Sequence, residues 1–268
     1  MTFTDTHAHL NDLILINSID SLLDSAKQAG FEKFMIPATD LASTRNIIEL
    51  ASRYNNIYAG VGIHPNDALK AAAGDWEEIV QITRRSFSTK NSCKIHAVGE
   101  SGLDKYWDDC PIEVQQDYLA RHLTLAQEFN LPIILHCRDA QDELLPALQA
   151  FKRSTGWMKG ILHSFSSDVS FLEKCLELGL YIGFGGMITY KQKKFAPVRE
   201  AAAVAPMDRI LLETDCPYLT PSPMRGKAEF NQPAYAVYTA EKLAELKGVS
   251  LEQIAAATTL NAEHVFNW

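Results

Sequence analysis

Eight short apolar runs alternate with longer amphipathic segments along the 268 residues, and this alternation constrains the fold more than any other feature. Runs so short and so continuously apolar are typical of parallel strands that are buried on both faces. They lie at 3–7, 33–37, 57–63, 95–99, 133–136, 160–163, 180–184 and 210–213. Apolar residues at helical spacing predict helices at 18–29, 41–53, 75–87, 112–129, 141–152, 169–178, 195–205, 234–246 and 251–261.

Eight strands that alternate with helices favour a TIM (β/α)₈ barrel, formed as a single domain by residues 1–268. A doubly wound open sheet is the alternative, but it requires a glycine-rich phosphate loop after an early strand. The late glycines of I-G-F-G-G at 182–186 do not open such a helix and instead indicate close backbone approach. The stretch 220–233 is interpreted as a functional loop and not a linker, because a helical pattern resumes after it.

The formal net charge of −8 argues against a protein that coats DNA without specificity, since such proteins are usually basic. The same net charge argues less strongly against a nuclease, because bound metal ions supply positive charge at the active site itself. Five cysteines without C-x-x-C spacing indicate reduced thiols, and the N-terminus lacks the pattern of a secretion signal. We therefore expect a cytoplasmic protein with no membrane span and no obligate protein partner.

Histidines and carboxylates stand at the ends of five predicted strands: His7, His9, Glu100, His136, His163 and Asp215. Residues i and i+2 of a strand point to the same face, so His7 and His9 can converge on one ion. In a (β/α)₈ barrel the carboxyl ends of all strands meet at one face, where active sites are built. The sequence therefore predicts a metal site of four imidazoles and two carboxylates.

The structural alternative is a buried polar network, which would have to satisfy six titratable groups without an ion at high cost. Six ligands exceed the needs of one catalytic zinc and fit two divalent ions, with Glu100 as the bridging carboxylate. Paired ions suit phosphodiester hydrolysis, because they stabilise both the attacking and the leaving oxygen. Asp215 and Glu100 are the predicted catalytic residues, Asp215 as a ligand that also accepts a proton from the attacking water.

The motifs, taken together and in order, carry a resemblance that runs from Asp5 to Phe266. They are D-T-H-A-H-L, G-I-H-P, A-V-G-E-S-G-L-D, L-P-I-I-L-H-C-R-D, L-H-S-F-S, L-L-E-T-D-C-P-Y-L-T-P and the M-R-G-K loop. The chain resembles the TatD-type metal-dependent deoxyribonucleases, which belong to the amidohydrolase-like metallohydrolases. This resemblance implies a TIM barrel, a DNA substrate and hydrolysis that is often 3′→5′ exonucleolytic.

The resemblance also implies roles for individual residues. One ion would be held by His7, His9, Glu100 and Asp215, and the other by Glu100, His136 and His163. His64 would contact the scissile phosphate, while Arg225 and Lys227 would contact the DNA backbone. Imidazole and carboxylate ligands suit Zn²⁺, Mn²⁺ or Fe²⁺, whereas the resembling nucleases are usually described with Mg²⁺. We expect two divalent ions, with Mg²⁺ or Mn²⁺ supporting activity and Zn²⁺ as the alternative.

The chain departs from the family pattern at two places. It reads H-S-F-S-S where the family commonly has H-C-F-S-G, and Asn231 and Pro233 arrive two residues late after the R-G-K loop. Three other functions stay open: deacylation of aminoacylated tRNA, hydrolysis of a cyclic amide or ester, and metal binding without turnover. The residue pair Tyr106 and Trp107 either stacks on a base or packs its loop.

Overall fold

The structure is a computed structural model that describes residues 1–88 and 94–268. The strands are β1 Phe3–Asp5, β2 Phe31–Pro37, β3 Ile57–Val61, β4 Ile95–Asp104, β5 Ile133–Arg138, β6 Gly160–Leu162, β7 Tyr181–Phe184 and β8 Ile210–Leu212. The α-helices are α1 Ile19–Gln28, α2 Leu41–Arg53, α3 Asp75–Ser88, α4 Ile112–Phe129, α5 Gln141–Thr155, α6 Val169–Glu177, α7 Ala196–Val204, α8 Ala236–Lys247 and α9 Leu251–Phe266. Each predicted strand and helix is found, with end shifts that reach about one helical turn or more at β4 and α9.

The eight strands form one sheet in the order β1 to β8, the order of the chain itself. Neighbouring strands pair in parallel, as between β4 and β5 and between β7 and β8. After β1, the amide of Thr6 donates to the carbonyl of Leu212 at 3.0 Å, so the last strand returns to the first. The fold is the predicted TIM (β/α)₈ barrel.

The chain divides into two compact units, each assembled from separate stretches. The first unit contains Met1–Ile36, His163–Leu176 and Tyr181–Asn267, and the second contains Pro37–Leu162, Glu177–Leu180 and Trp268. In the first unit, Phe3 of β1 stacks on Phe31 of β2 with ring centroids 5.0 Å apart. The amide of Asn261 in α9 donates to the carbonyl of Ile210 at 2.8 Å, which ties this helix to β8.

In the second unit, a buried histidine links α4 to the segment after β3. His122 of α4 is fully buried, and its Nε2 accepts the amide of Ile63 at 2.9 Å just beyond β3. Its Nδ1 donates to the Tyr118 carbonyl at 2.6 Å, so both ring nitrogens are satisfied by the neutral imidazole. Burial lowers the pKa of His122 to about 4. The ring thereby fixes the segment that leads to His64.

Two strand ends differ from the prediction. β4 continues to Asp104, so Glu100 lies inside the strand instead of directly after it, and β1 ends before His7 and His9. The pairing of β4 with β5 shifts between Val98 and Ser101. Val98 pairs with Ile133 and Ser101 with Leu135, so three steps along β4 correspond to two along β5. Such a bulge lets a strand continue while it redirects a side chain, which periodicity in the sequence does not reveal.

The remaining features of the fold concern the loop, the cysteines and the helices. The chain from 213 to 232 runs irregularly before a short 3₁₀ turn, Pro233–Tyr235, precedes α8. Among the described residues, Cys110, Cys137, Cys175 and Cys216 form no disulfide, and Cys93 lies outside the described residues. Among the helices that the structure describes, none is long and apolar enough to cross a membrane.

We predict that His122→Gln weakens the dependence of stability on pH. In the wild type the pKa of His122 is lowered from 6.5 to about 4, so the unfolded chain binds more protons between these values. The resulting loss of unfolding free energy between pH 7 and pH 4.5 is on the order of 2–3 kcal/mol, and the variant should lack this part. Urea denaturation at several pH values measures the slope.

The control for this experiment is His264→Gln, which removes an exposed histidine of α9. Its slope should follow that of the wild type. An unchanged slope in His122→Gln would show that the buried imidazole does not account for the acid sensitivity.

Candidate functional site

The first unit brings His7, His9 and Asp215 together. The Nε2 atoms of His7 and His9 lie 3.2 Å apart, and Asp215 Oδ1 lies 3.6 Å from the former and 3.4 Å from the latter. His7 is fully buried, whereas the side chains of His9 and Asp215 are 12% and 14% exposed. These three predicted ligands therefore offer three donor atoms to one point near the surface.

Both histidines lie beyond β1, after a bend at Thr6, and backbone hydrogen bonds hold their segment on both sides. The Ala8 amide donates to Met35 and the His9 amide to Cys216, at 3.0 and 2.8 Å. The expected convergence of His7 and His9 is found, with their Nε2 atoms 3.2 Å apart. Asp215 has a positive φ of 57°, in the left-handed region that a non-glycine residue seldom adopts.

Asp5 was not assigned a role from the sequence, yet it joins the two segments that carry these ligands. Its carboxylate accepts the hydroxyl of Thr214 at 2.6 Å and the amide of Thr214 at 3.0 Å, and it also accepts the amide of His7 at 3.3 Å. Burial raises the pKa of Asp5 to about 7, although these hydrogen bonds oppose the shift. The sequence feature that could have indicated this supporting role is the position of Asp5 in the motif D-T-H-A-H.

His163 also belongs to the first unit and lies against His7. The two rings are nearly parallel, with an interplanar angle of 8° and centroids 3.8 Å apart. Glu213 lies behind them: its Oε1 accepts the amide of Ser164 and stands 3.9 Å from His163 Nδ1. A Cβ at Gly183 would collide with the Glu213 carboxylate, so the glycine of β7 makes room for it.

Electrostatics favour the ionised form of Asp215. Burial by itself raises its pKa, but the hydrogen bond with His9 and the charges of His7 and His163 outweigh burial and lower it. Asp215 is therefore a carboxylate surrounded by imidazoles. It can bind a cation and accept a proton.

The second unit brings Glu100, His136 and His64 together. Glu100 Oε1 lies 3.0 Å from His136 Nδ1 and 3.4 Å from His64 Nε2. Glu100 is 2% exposed, whereas His64 and His136 are partly exposed. His64, predicted only as a substrate contact, can thus also serve as a ligand. Its Nδ1 accepts the Asn66 amide at 3.2 Å, which directs Nε2 toward Glu100.

Asp104 is the carboxylate that the sequence analysis missed in this unit. Its Oδ2 lies 2.9 Å from His136 Nε2, while His136 Nδ1 faces Glu100. Burial opposes ionisation of Asp104, but the hydrogen bond and charge of His136 lower its pKa to about 2. Burial likewise lowers the pKa of His136, yet the bonds to Asp104 and Glu100 prevail and raise it to about 9. The sequence did contain an indication of this residue. Asp104 is the final residue of E-S-G-L-D, and the alternation of side chains along a strand puts it on the same face as Glu100.

Both groups fit a divalent cation. Bonds of about 2.0–2.1 Å place neighbouring donors about 3.3 Å apart in tetrahedral geometry and about 3.0 Å apart in octahedral geometry. The separations within the first group are 3.2, 3.4 and 3.6 Å, and those from Glu100 to its two imidazoles are 3.0 and 3.4 Å. Asp104 behind His136 forms the carboxylate–histidine pair that orients metal-binding imidazoles.

The predicted contacts to DNA lie on the irregular segment after Asp215. Arg225 and Lys227 are exposed, and the Arg225 guanidinium lies 4.3 Å from the ring centroid of Tyr190. Asn231 is buried, and its amide group donates to the carbonyls of Thr214 and Tyr218 at 2.8 and 2.7 Å. The late position of Asn231 in the sequence therefore still allows it to anchor this segment beside Asp215.

Comparisons with known proteins show the family to which the chain belongs. The family described as TatD related DNase matches residues 4–267. The "Uncharacterized metal-dependent hydrolase YabD" of Bacillus subtilis is 36% identical over 262 residues, which cover 98% of each chain. The "Uncharacterized metal-dependent hydrolase YcfH" of Escherichia coli is 34% identical over 273 residues, covering 100% of this chain and 96% of its own. The crystal structure of the TatD homologue YjjV from Escherichia coli has a TM-score of 0.90 at 33% identity, covering 99% and 98% of the two chains.

A TIM barrel whose strand ends carry clusters of imidazole and carboxylate ligands defines the class of metal-dependent hydrolases. Within that class, this chain belongs to the TatD family.

We predict that Asp104→Asn weakens metal binding by about 10- to 100-fold, the usual effect of losing a carboxylate that orients a ligand histidine. The amide cannot supply the charge that holds His136 Nε2, so the ring loses its fixed orientation. Titration of the metal-free protein with Mn²⁺ or Zn²⁺ in a calorimeter measures the affinity. The matched control is Asp117→Asn, which changes an exposed carboxylate of α4 that pairs with Arg121. Equal affinities in Asp104→Asn and the control would contradict the supporting role.

Proposed function

We propose that this protein is a metal-dependent deoxyribonuclease that hydrolyses DNA phosphodiester bonds with two divalent metal ions, as a 3′→5′ exonuclease. The observation that carries the proposal is the presence of two ligand groups, each with two imidazoles and one carboxylate. Membership of the family described as TatD related DNase supports the choice of DNA as substrate. Mg²⁺ or Mn²⁺ is the proposed activating ion, and Zn²⁺ is the alternative.

The ligands divide between the two proposed ions as follows. In this proposal, His7, His9, Glu100 and Asp215 would hold one ion, and Glu100, His136 and His163 would hold the other. Divalent ions, when bound, lower the pKa of a water molecule and stabilise negative charge on the phosphate. We propose that His64, whose Nε2 faces Glu100, contacts the scissile phosphate.

The protein's own groups have distinct roles in the proposed reaction. Asp215 accepts a proton from the attacking water, since its lowered pKa keeps it ionised. Asp104 holds His136 in place through Nε2, which leaves Nδ1 directed at Glu100. Arg225 and Lys227 are exposed cations on the segment after Asp215, and we propose that they bind the DNA backbone. The cytoplasmic location and the lack of an obligate protein partner stay predictions.

The decisive experiment compares substrates and metals side by side. The metal-free protein is supplied with Mg²⁺, Mn²⁺ or Zn²⁺ and given end-labelled single-stranded DNA, an aminoacylated tRNA and a cyclic amide. We expect DNA hydrolysis that chelation abolishes and that Mg²⁺ or Mn²⁺ restores, with products shortened from the 3′ end.

Each alternative gives a different result in the same experiment. Release of the amino acid from tRNA without DNA cleavage would identify a deacylase, and turnover of the cyclic amide alone would identify an amidohydrolase. Metal binding without turnover of any of the three substrates would show that the protein is not an enzyme for these substrate classes. Nicking of a closed circular strand as fast as digestion of a linear one would contradict an exonuclease.

We predict that Asp215→Asn lowers kcat by about 10²- to 10⁴-fold, the usual worth of a positioned general base. An amide cannot accept the proton from the attacking water, and it is a poorer metal ligand. DNA affinity should fall much less, because Arg225 and Lys227 are unchanged. The kcat and the Kd for DNA are measured at fixed salt and metal concentrations.

The control is Asp208→Asn, an exposed carboxylate that precedes β8, whereas Asp215 follows it. This variant should turn over at the wild-type rate. If kcat and affinity fell by equal factors in Asp215→Asn, the residue would bind substrate and not act as the base.

A further inference from the structure

Three side chains form an exposed cluster in the second unit, which we call the aromatic platform: Tyr106, Trp107 and Arg138. Tyr106 and Trp107 are 52% and 50% exposed, although large aromatic rings are usually more buried. The two rings meet edge to face, with centroids 4.8 Å apart and planes at 89°. The Arg138 guanidinium lies 3.7 Å from the centroid of the Tyr106 ring and 5.7 Å from that of Trp107.

Hydrogen bonds through Asp104 link the platform to His136, a candidate metal ligand. Asp104 Oδ1 accepts the amides of Tyr106 and Trp107 at 2.9 and 3.1 Å. The other oxygen of the same carboxylate lies 2.9 Å from His136 Nε2. One buried carboxylate therefore fixes both the aromatic pair and the imidazole, and a molecule stacked on the platform would lie beside the second ligand group.

Arg138 brings a positive charge to the platform, and its side chain is exposed. Within residues 1–88 and 94–268, no carboxylate forms an ion pair with its guanidinium. The backbone of Arg138 in β5 pairs with that of Asp104 in β4, and this pairing holds the base of the Arg138 side chain beside the two aromatic rings. In a chain of net charge −8, an unpaired guanidinium held against two exposed rings is suited to an anionic, flat ligand.

We propose that the aromatic platform is a nucleotide subsite in which a nucleobase stacks on Trp107 and Tyr106 while Arg138 contacts the adjoining phosphate. This assignment rests on the proposed function, because it places a nucleotide of the DNA strand next to the ligand group of Glu100, His136 and His64. A stacking surface accepts any base, since every base has a π face, so the subsite holds the strand without reading its sequence.

The test uses the metal-loaded protein and a single-stranded oligonucleotide with phosphorothioate linkages, which slow hydrolysis. A fluorescent 2-aminopurine is placed in turn at each of the last three nucleotides of the 3′ end. Stacking on an aromatic ring quenches its emission, and titration gives the Kd. The variants are Trp107→Ala, Trp107→Phe and Arg138→Gln.

We expect quenching at one position in the wild type. Trp107→Ala should lose the quenching and raise the Kd by about 5- to 150-fold, the range that stacking energies imply, whereas Trp107→Phe should keep most of both. Arg138→Gln should lower the dependence of log Kd on log salt by about 0.7, the loss of one phosphate contact on a single strand. The control is Trp157→Ala, the same change in the segment before β6, which should leave quenching and Kd at their wild-type values.

Failure of this proposal is distinguishable from failure of the proposed function. Unquenched 2-aminopurine at all three positions in the wild type, or equal quenching in Trp107→Ala, would overturn the platform even if DNA is hydrolysed. Absence of DNA hydrolysis would overturn the nuclease, while quenching that depends on Trp107 would still support the subsite. As a second readout, replacing the stacked nucleotide with an abasic one should weaken wild-type binding but not binding by Trp107→Ala.

Discussion

Attraction between buried carboxylates and the imidazoles around them is the interaction on which the site depends. Glu100 and Asp215 are largely removed from water, and each faces histidine nitrogens at 3.0 to 3.6 Å. Carboxylates in such surroundings need compensating positive charge, and His136, whose pKa is raised by Asp104 and Glu100, provides it beside Glu100. A divalent ion meets the same requirement at the same donor separations, which is why this arrangement suits a metal-dependent hydrolase.

The supporting residues determine how firmly those ligands are held. Asp104 fixes His136, Asp5 joins Thr214 to His7, and Asn231 ties the segment after β8 to the backbone beside Asp215. Each uses a buried polar group whose hydrogen bonds are directional, so the ligand atoms stay oriented before any ion arrives. The same carboxylate of Asp104 also holds the aromatic platform, so the proposed nucleotide subsite and the orientation of His136 depend on one residue.

With a net charge of −8, the protein would bind the proposed DNA substrate through local features and not through its overall field. The candidate local features are the ligand groups for cations, the exposed cations Arg225 and Lys227, and the guanidinium of Arg138 over Tyr106. This distribution is consistent with a TatD-family enzyme that engages a short stretch of its substrate. It differs from the broad basic surface of proteins that coat DNA.

The sequence by itself determined the eight strands, the helices between them and the six principal ligand candidates, because buried parallel strands are recognisable as apolar runs and barrel sites follow strand ends. Only the tertiary structure decided the rest. The bulge that carries Glu100 within β4, the second role of His64 beside Glu100, and the anchoring by Asp5 and Asp104 depend on partners distant in sequence. Periodicity records which face of an element is buried, but hydrogen bonds between elements depend on register and side-chain direction, which arise only when the strands pack together.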